Sequence, residues 1–213
     1  MRAFALAVAF CAFVNAPAWA QQSSRIERAF FGGESAQSHD IGHLTFWADL
    51  ILRERAEATA FSNLAAPGAT WALNPRALLA GVNAAINSAA YVDDQDNWGV
   101  ADRWQTSREL AERGGDCEDY AAAKYFALRA AGAPAEALLI AVVTDEATGQ
   151  RHAVLMVRLP EGAVVLDNLH DDVRSASSFA HYRPLMAMNE TGWRLAAPHL
   201  RHAPETAQAA IAR

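Results

Sequence analysis

Cysteine is nearly missing from this chain. Only Cys11 and Cys117 occur in 213 residues, and Cys11 lies in a segment that reads as a removable leader. A single remaining thiol cannot form an internal disulfide, so the chain is not a disulfide-stapled scaffold. Membrane-length apolar runs are also missing, because the longest candidate, Phe4 to Val14, is too short for a span. There are no internal repeats and no basic cluster. A formal net charge of −6 argues against nucleic acid as a partner.

What is present begins with a secretory signal over residues 1–20. Arg2 supplies the positive end and Ala18-Trp19-Ala20 an A-x-A cleavage site. Phe10, not a small residue, precedes Cys11, which argues against a lipoprotein anchor. The expected organisation is the signal peptide, a flexible lead-in over 21–38, one domain over 39–195 and a loose tail over 196–213. Without the leader the chain is long enough for one domain with a real core. The expected destination is an oxidising compartment outside the cytoplasm, where a lone cysteine is free or pairs with another molecule.

The organising stretch is Gly114-Gly115-Asp116-Cys117-Glu118-Asp119-Tyr120. Asp116 is a good N-cap, and Asp119 three residues later completes a capping-box-like pair. The alanine-rich pattern that follows is helical through Ala131, and Gly132 and Pro134 stop it. Cys117 therefore opens a helix, where free N–H groups and the helix dipole favour a thiolate. The plainer reading is a small buried core cysteine.

Before this stretch the periodicity is helical. One helix is expected from Asp40 to about Leu64, and a second begins at Pro75 with Asn74 as its cap. Tyr91 to Trp98 reads as an acidic loop. It is a solvated turn, or a cation site offering Asp93, Asp94 and Asp96, although it does not match an EF-hand. Thr106-Ser107-Arg108-Glu109 is a capping box for a short helix ending near Gly114.

After Cys117 the pattern becomes β. Strands are expected at 137–143, 152–159 and 163–168, with further strands at 182–188 and 193–195. Helices followed by antiparallel strands make the fold class α+β. A cysteine nucleophile needs a base and the base an orienting group. His152, opening a strand, is favoured over His170, which is expected in a loop. Asp167 ends an apolar strand, where a carboxylate is costly unless paired. If Leu159 to Gly162 form a four-residue turn, Val154 lies opposite Asp167, and His152 and Asp167 are diagonal neighbours on one face.

Several stretches together resemble the bacterial transglutaminase-like cysteine proteinases. They are Asn87-Ser88, Tyr91 to Gln95, Trp98-Gly99, Trp104, Gly114 to Gly132, His152 to Leu155 and Val165 to Leu169. The resemblance covers roughly residues 75–195, and Ala153 stands where family members often carry Met. It implies a papain-like, transglutaminase-like fold and a periplasmic cysteine endopeptidase with the triad Cys117, His152 and Asp167. It also implies Ca²⁺ held by Asp116 and Glu118, with Asp93, Asp94 and Asp119 as further candidates. The implied substrate is a large surface adhesin, cut near its N-terminus at a di-alanine site to disperse biofilm. The implied inhibitor is an inner-membrane cyclic di-GMP receptor. The Cys117 N–H is the natural first oxyanion donor, with Trp98, Trp104 or Gln105 as the second. A transglutaminase using the same triad, or a non-catalytic binding module, are the rival readings.

Overall fold

The computed structural model describes residues 35–57 and 70–196. The signal peptide, most of the lead-in, the expected helix residues 58–64 and the tail from 197 lie outside the described residues. Among those described, the α-helices are α1 (Thr45–Glu57), α2 (Pro75–Asn87), α3 (Asp94–Trp98), α4 (Ser107–Arg113) and α5 (Cys117–Ala130). The strands are β1 (Ser35–Ser38), β2 (Leu138–Asp145), β3 (Arg151–Leu159), β4 (Gly162–Asp167), β5 (His170–Ser175), β6 (Tyr182–Asn189) and β7 (Gly192–Ala196). All seven pair antiparallel in one sheet, in the order β1-β7-β6-β2-β3-β4-β5. The fold is α+β, with helices packed on one antiparallel sheet.

Local chemistry accounts for the helix starts. The Asn74 side chain accepts from the Ala77 N–H at 3.1 Å, with Pro75 in the first turn, and Thr106 and Glu109 form a reciprocal capping box. Every α5 residue from Asp119 to Leu128 is buried. A helix buried all round belongs in the middle of a domain, and α5 packs between α2 and the sheet strands β2, β3 and β4. Its alanines let these layers approach closely.

The sheet alternates as its pleat requires. Ile140, Val142, Leu155, Val157, Val164 and Leu166 face the helices in the larger core cluster, while Ala141, Val143, Val154 and Val165 join Phe179 and Tyr182 on the opposite face. The β3–β4 hairpin has the expected register, with Leu155 opposite Leu166 and Leu159 opposite Gly162.

Four expectations are corrected. Residues 35–38 form the edge strand β1, paired to β7, and not the end of a flexible lead-in. The segment from Asp40 enters α1 through a short 3₁₀ turn at Ile41–His43. The acidic stretch is not a plain loop, because Asp94 to Trp98 close a helical turn that ends at Gly99 in the left-handed region. His170 begins strand β5 and is not in a loop. That strand reads as polar, His-Asp-Asp-Val-Arg-Ser, because it lies at the sheet edge and is half exposed.

Candidate active site

The two glycines before Cys117 are required by close backbone contacts. Gly114 has φ +76, and a Cβ there would lie 2.4 Å from the Ala90 carbonyl oxygen. A Cβ on Gly115 would lie 2.3 Å from Asp119 Oδ2. This closeness lets residues 90–92 lie along the loop: the Gly115 N–H donates to Ala90 O at 3.1 Å, and the Val92 N–H to Gly115 O at 2.9 Å. The Tyr120 hydroxyl adds a bond to Ala89 O at 2.8 Å.

Asp119 locks the other side. Its carboxylate accepts from the Gln105 N–H at 2.7 Å, the Gln105 side-chain amide at 2.5 Å and the Asp116 N–H at 3.2 Å. Asp116 is extended, with φ −109 and ψ −165, as an N-cap should be. Cys117 is thus delivered at the first helical position of α5.

His152 and Asp167 come from neighbouring strands. His152 Nε2 lies 2.8 Å from Asp167 Oδ1. Asp167 also accepts from the Leu169 N–H at 3.0 Å and, through Oδ2, from the Tyr182 hydroxyl at 2.9 Å. Burial alone would raise the Asp167 carboxyl, but the bond and charge of His152, then the Leu169 and Tyr182 bonds, hold it below the ordinary range. Cys117 and His152 line one cavity of about 260 Å³ together with Ala153 and Trp104. The thiol packs against the helix-side core and also interacts with the Ala153 N–H. His170 is the cross-strand partner of Asp167, and its carbonyl accepts from Asn83 and Asn87.

The same cavity is walled by acids. The carboxylates of Asp94, Asp116 and Asp119 form one close group, and those of Asp94, Asp102 and Glu118 a second, each within 4.8 Å. Oδ1 of Asp94, Asp102 and Asp116 is buried without a hydrogen-bond partner. Burial raises all five carboxyls, with Asp94 pushed up to about 6, and mutual repulsion raises Asp94, Asp116, Glu118 and Asp119 further. Orphaned oxygens among mutually repelling acids are the chemistry of a site for a hard cation.

The structure places the candidate residues as follows. Asp93 lines the cavity but belongs to neither acidic group; it precedes α3 and only Asp94 turns inward. Asp119 belongs to the first group, and its oxygens also accept from three N–H groups. Asp102 was missed, because it lies eight residues beyond Asp94 in an irregular segment with no periodicity to mark its direction. The thiol points toward the acids, with Cys117 Sγ 3.1 Å from Glu118 Oε2. Burial, then the charges of Glu118 and Asp116, push the Cys117 thiol up, opposite to what its helix position alone suggests. Among the second oxyanion donors, the Gln105 amide nitrogen is occupied by Asp119. Trp98 lines a different hollow, and Trp104 lines the catalytic cavity with its indole N–H buried and without an acceptor.

Solved structures of LapG from Legionella pneumophila are similar to this chain. The EGTA-treated form is 33% identical, with a TM-score of 0.49 over 55% of this chain and 65% of that one, just under two thirds of its length. The calcium-bound form is 26% identical, with a TM-score of 0.49 over 81% of this chain and 87% of that one. No curated protein matches the chain. The family model described as bacterial transglutaminase-like cysteine proteinase matches residues 38–194, which include the thiol, the imidazole–carboxylate pair and all the clustered acids. On that match, this chain belongs to the bacterial transglutaminase-like cysteine proteinases.

Proposed function

We propose that this chain is a periplasmic, calcium-dependent cysteine endopeptidase in which Cys117 is the nucleophile, His152 the base and Asp167 the group that orients it. The observation that carries this reading is the 2.8 Å contact between His152 Nε2 and Asp167 Oδ1 in a cavity shared with a helix-opening cysteine. A carboxylate at Nε2 holds that nitrogen protonated, which leaves the lone pair on Nδ1. Nδ1 takes the thiol proton as Sγ attacks the peptide carbonyl carbon. It returns that proton to the amine as the C–N bond breaks, leaving a thioester. Water, activated by the same nitrogen, then releases the acid and the thiol. The carbonyl oxygen is received by the Cys117 N–H, which has no intrahelical acceptor at this position, and by the Trp104 indole N–H.

Asp94, Asp102, Asp116 and Glu118 are the residues that would hold Ca²⁺, with water or carbonyls completing the six to eight oxygens it prefers. Bound there, the ion would supply positive charge to offset the repulsion among these acids beside the thiol. Asp116, as N-cap, and Asp119, through Gln105, then keep the Cys117 N–H aimed at the cavity.

The family resemblance supports a large surface adhesin as substrate, cut near its N-terminus at a di-alanine site to disperse biofilm. It also supports an inner-membrane cyclic di-GMP receptor as the inhibitory partner. The test is incubation of the protein with the N-terminal segment of such an adhesin, mapping any cleavage by mass spectrometry. Cleavage that is lost in Cys117→Ala is expected. Incorporation of a labelled amine into glutamine with no peptide cleavage would overturn the endopeptidase reading in favour of acyl transfer.

A further inference from the structure

Attack on a peptide carbonyl puts negative charge on its oxygen, and here that charge forms in a cavity lined by the carboxylates of Asp93, Asp94, Asp102, Asp116 and Glu118. Such a site gains from fixed, neutral hydrogen-bond donors near the thiol. Tyr91 lines the same cavity as Cys117 and His152 and is 56% exposed. The chain has four tyrosines, and the other three give their hydroxyls to protein acceptors: Tyr120 to Ala89 O, Tyr125 to Glu190 and Tyr182 to Asp167. The Tyr91 hydroxyl has no such acceptor among the described residues.

Although exposed, Tyr91 is held in place. Its backbone makes a short parallel bridge with Gly115, closed on one side by the Gly115 N–H on Ala90 O and on the other by the Val92 N–H on Gly115 O. Its ring stacks on Tyr120, with 6.4 Å between centroids and 21° between planes. Tyr120 is itself buried and tied to Ala89 O. It follows Cys117 by three residues, so the two are neighbours on one face of α5. The Tyr91 ring therefore lies beside the turn that carries the thiol. A phenol is protonated at ordinary working pH. Burial, then the charges of Cys117, Asp116, Asp93 and Glu118, raise this one further above its usual 10.0. The hydroxyl is a neutral donor.

We infer that Tyr91 is a further catalytic residue, whose hydroxyl donates a hydrogen bond to the substrate carbonyl oxygen as the tetrahedral intermediate forms. In that step the Sγ–C bond forms, the π pair of the carbonyl moves onto its oxygen, and the thiol proton passes to His152 Nδ1. Tyr91 keeps its own proton throughout. The Cys117 N–H reaches the oxygen from the helix end and Tyr91 from the 90–92 segment, and Gly115 ties that segment to the helix start. This rests on the endopeptidase reading and deepens it: the glycine pair places the nucleophile and a side-chain donor together.

The test uses a blocked peptide with a central Ala-Ala pair and the calcium-loaded enzyme. Tyr91→Phe keeps the ring stack and removes only the donor. Its kcat is expected to fall about 100-fold, with KM within about twofold of wild type, because the bond gains strength only as the oxyanion forms. Iodoacetamide alkylation of Cys117, which forms no oxyanion, should proceed at the wild-type rate. The melting temperature should match wild type, because the hydroxyl has no partner in the protein. An unchanged kcat, a loss confined to KM, alkylation slowed as much as cleavage, or a melting temperature well below wild type each overturns the Tyr91 assignment and leaves the endopeptidase reading in place. Absence of cleavage by the wild-type enzyme overturns the alanine-pair endopeptidase reading and the assignment with it.

Discussion

The carboxylate of Asp167 is shared between His152 Nε2, at 2.8 Å on Oδ1, and the Tyr182 hydroxyl, at 2.9 Å on Oδ2. An asparagine at 167 can keep both contacts, with its carbonyl toward His152 and its NH₂ toward a rotated Tyr182 hydroxyl. Asp167→Asn is therefore expected to retain more activity than Asp167→Ala, and His152→Ala to lose as much as Cys117→Ala. Tyr182→Phe should worsen Asp167→Asn by more than it harms the wild type, because the amide loses the partner that sets its orientation. Steady-state kinetics on the five single variants and the double variant measure this; equal losses for Asn and Ala would contradict it. The Asp167 carboxyl is also held below its ordinary value of 3.8. Its contribution to stability is full above the unfolded pKa and is lost as pH falls through the folded one. Asp167→Asn should accordingly flatten the acid side of a Tm-against-pH profile.

The acids beside Cys117 predict a reversal of pH dependence with calcium. In chelator, Asp94 has a pKa raised from 3.8 to about 6 by burial and by the charge of Asp116. A carboxyl raised on folding opposes folding once ionised, so the chelated protein should lose stability as pH rises from about 3.8 to about 6. Ca²⁺ should remove that loss and speed iodoacetamide labelling of Cys117. Asp102→Asn should weaken Ca²⁺ binding, read by calorimetry, at least tenfold, while Asp93→Asn should leave it nearly unchanged. A stronger effect at Asp93 than at Asp102 would move the site away from the clustered acids.

Gly115 predicts a steric failure. A methyl group there would sit 2.3 Å from Asp119 Oδ2 and 2.8 Å from Gln105 Nε2, and it would break the clamp that places Cys117. Gly115→Ala is expected to destabilise the fold by about 1–3 kcal/mol and to lower kcat. Gly132→Ala serves as the comparison, because its Cβ position is open, though its φ of +91 still carries backbone strain. Denaturant unfolding of the two variants distinguishes crowding from strain; a smaller loss at Gly115 would refute the clamp.

Lys124 is the chain's single lysine, and its side chain is 1% exposed. Burial lowers its pKa from 10.5 to about 7 against the opposing pull of Asp167 and Asp171. The charged form is disfavoured in the folded state, so the penalty is full below about 7 and vanishes above 10.5. Lys124→Met is expected to stabilise the protein by about 1–4 kcal/mol, more in mildly acidic buffer than in alkaline buffer. A variant less stable than wild type in mildly acidic buffer would mean that the charge is favourably compensated where it lies.

Much of the site was legible because its signals are local. A helix that begins after Gly114-Gly115-Asp116 must put Cys117 in its first turn. The Pro160-Glu161 turn sets a hairpin register that brings His152 and Asp167 to one face, since a side-chain period of two permits no other outcome for that turn. Strand β5 was not legible, because an edge strand needs no buried face and so carries no alternating pattern. Nor was β1, whose four residues become a strand only where β7 offers its edge.

The sequence alone determined the succession from helices to antiparallel strands, the position of the thiol and the partnership of His152 with Asp167, because each follows from contacts a few residues apart or across one tight turn. Only the tertiary structure decided which acids meet. Asp94 turns inward while Asp93 does not, Asp102 joins Glu118, and Asp119 is occupied by Gln105. These choices depend on irregular segments between residues 91 and 106, whose side-chain directions are set by packing against the α5 N-terminus. No periodicity in the chain encodes those directions.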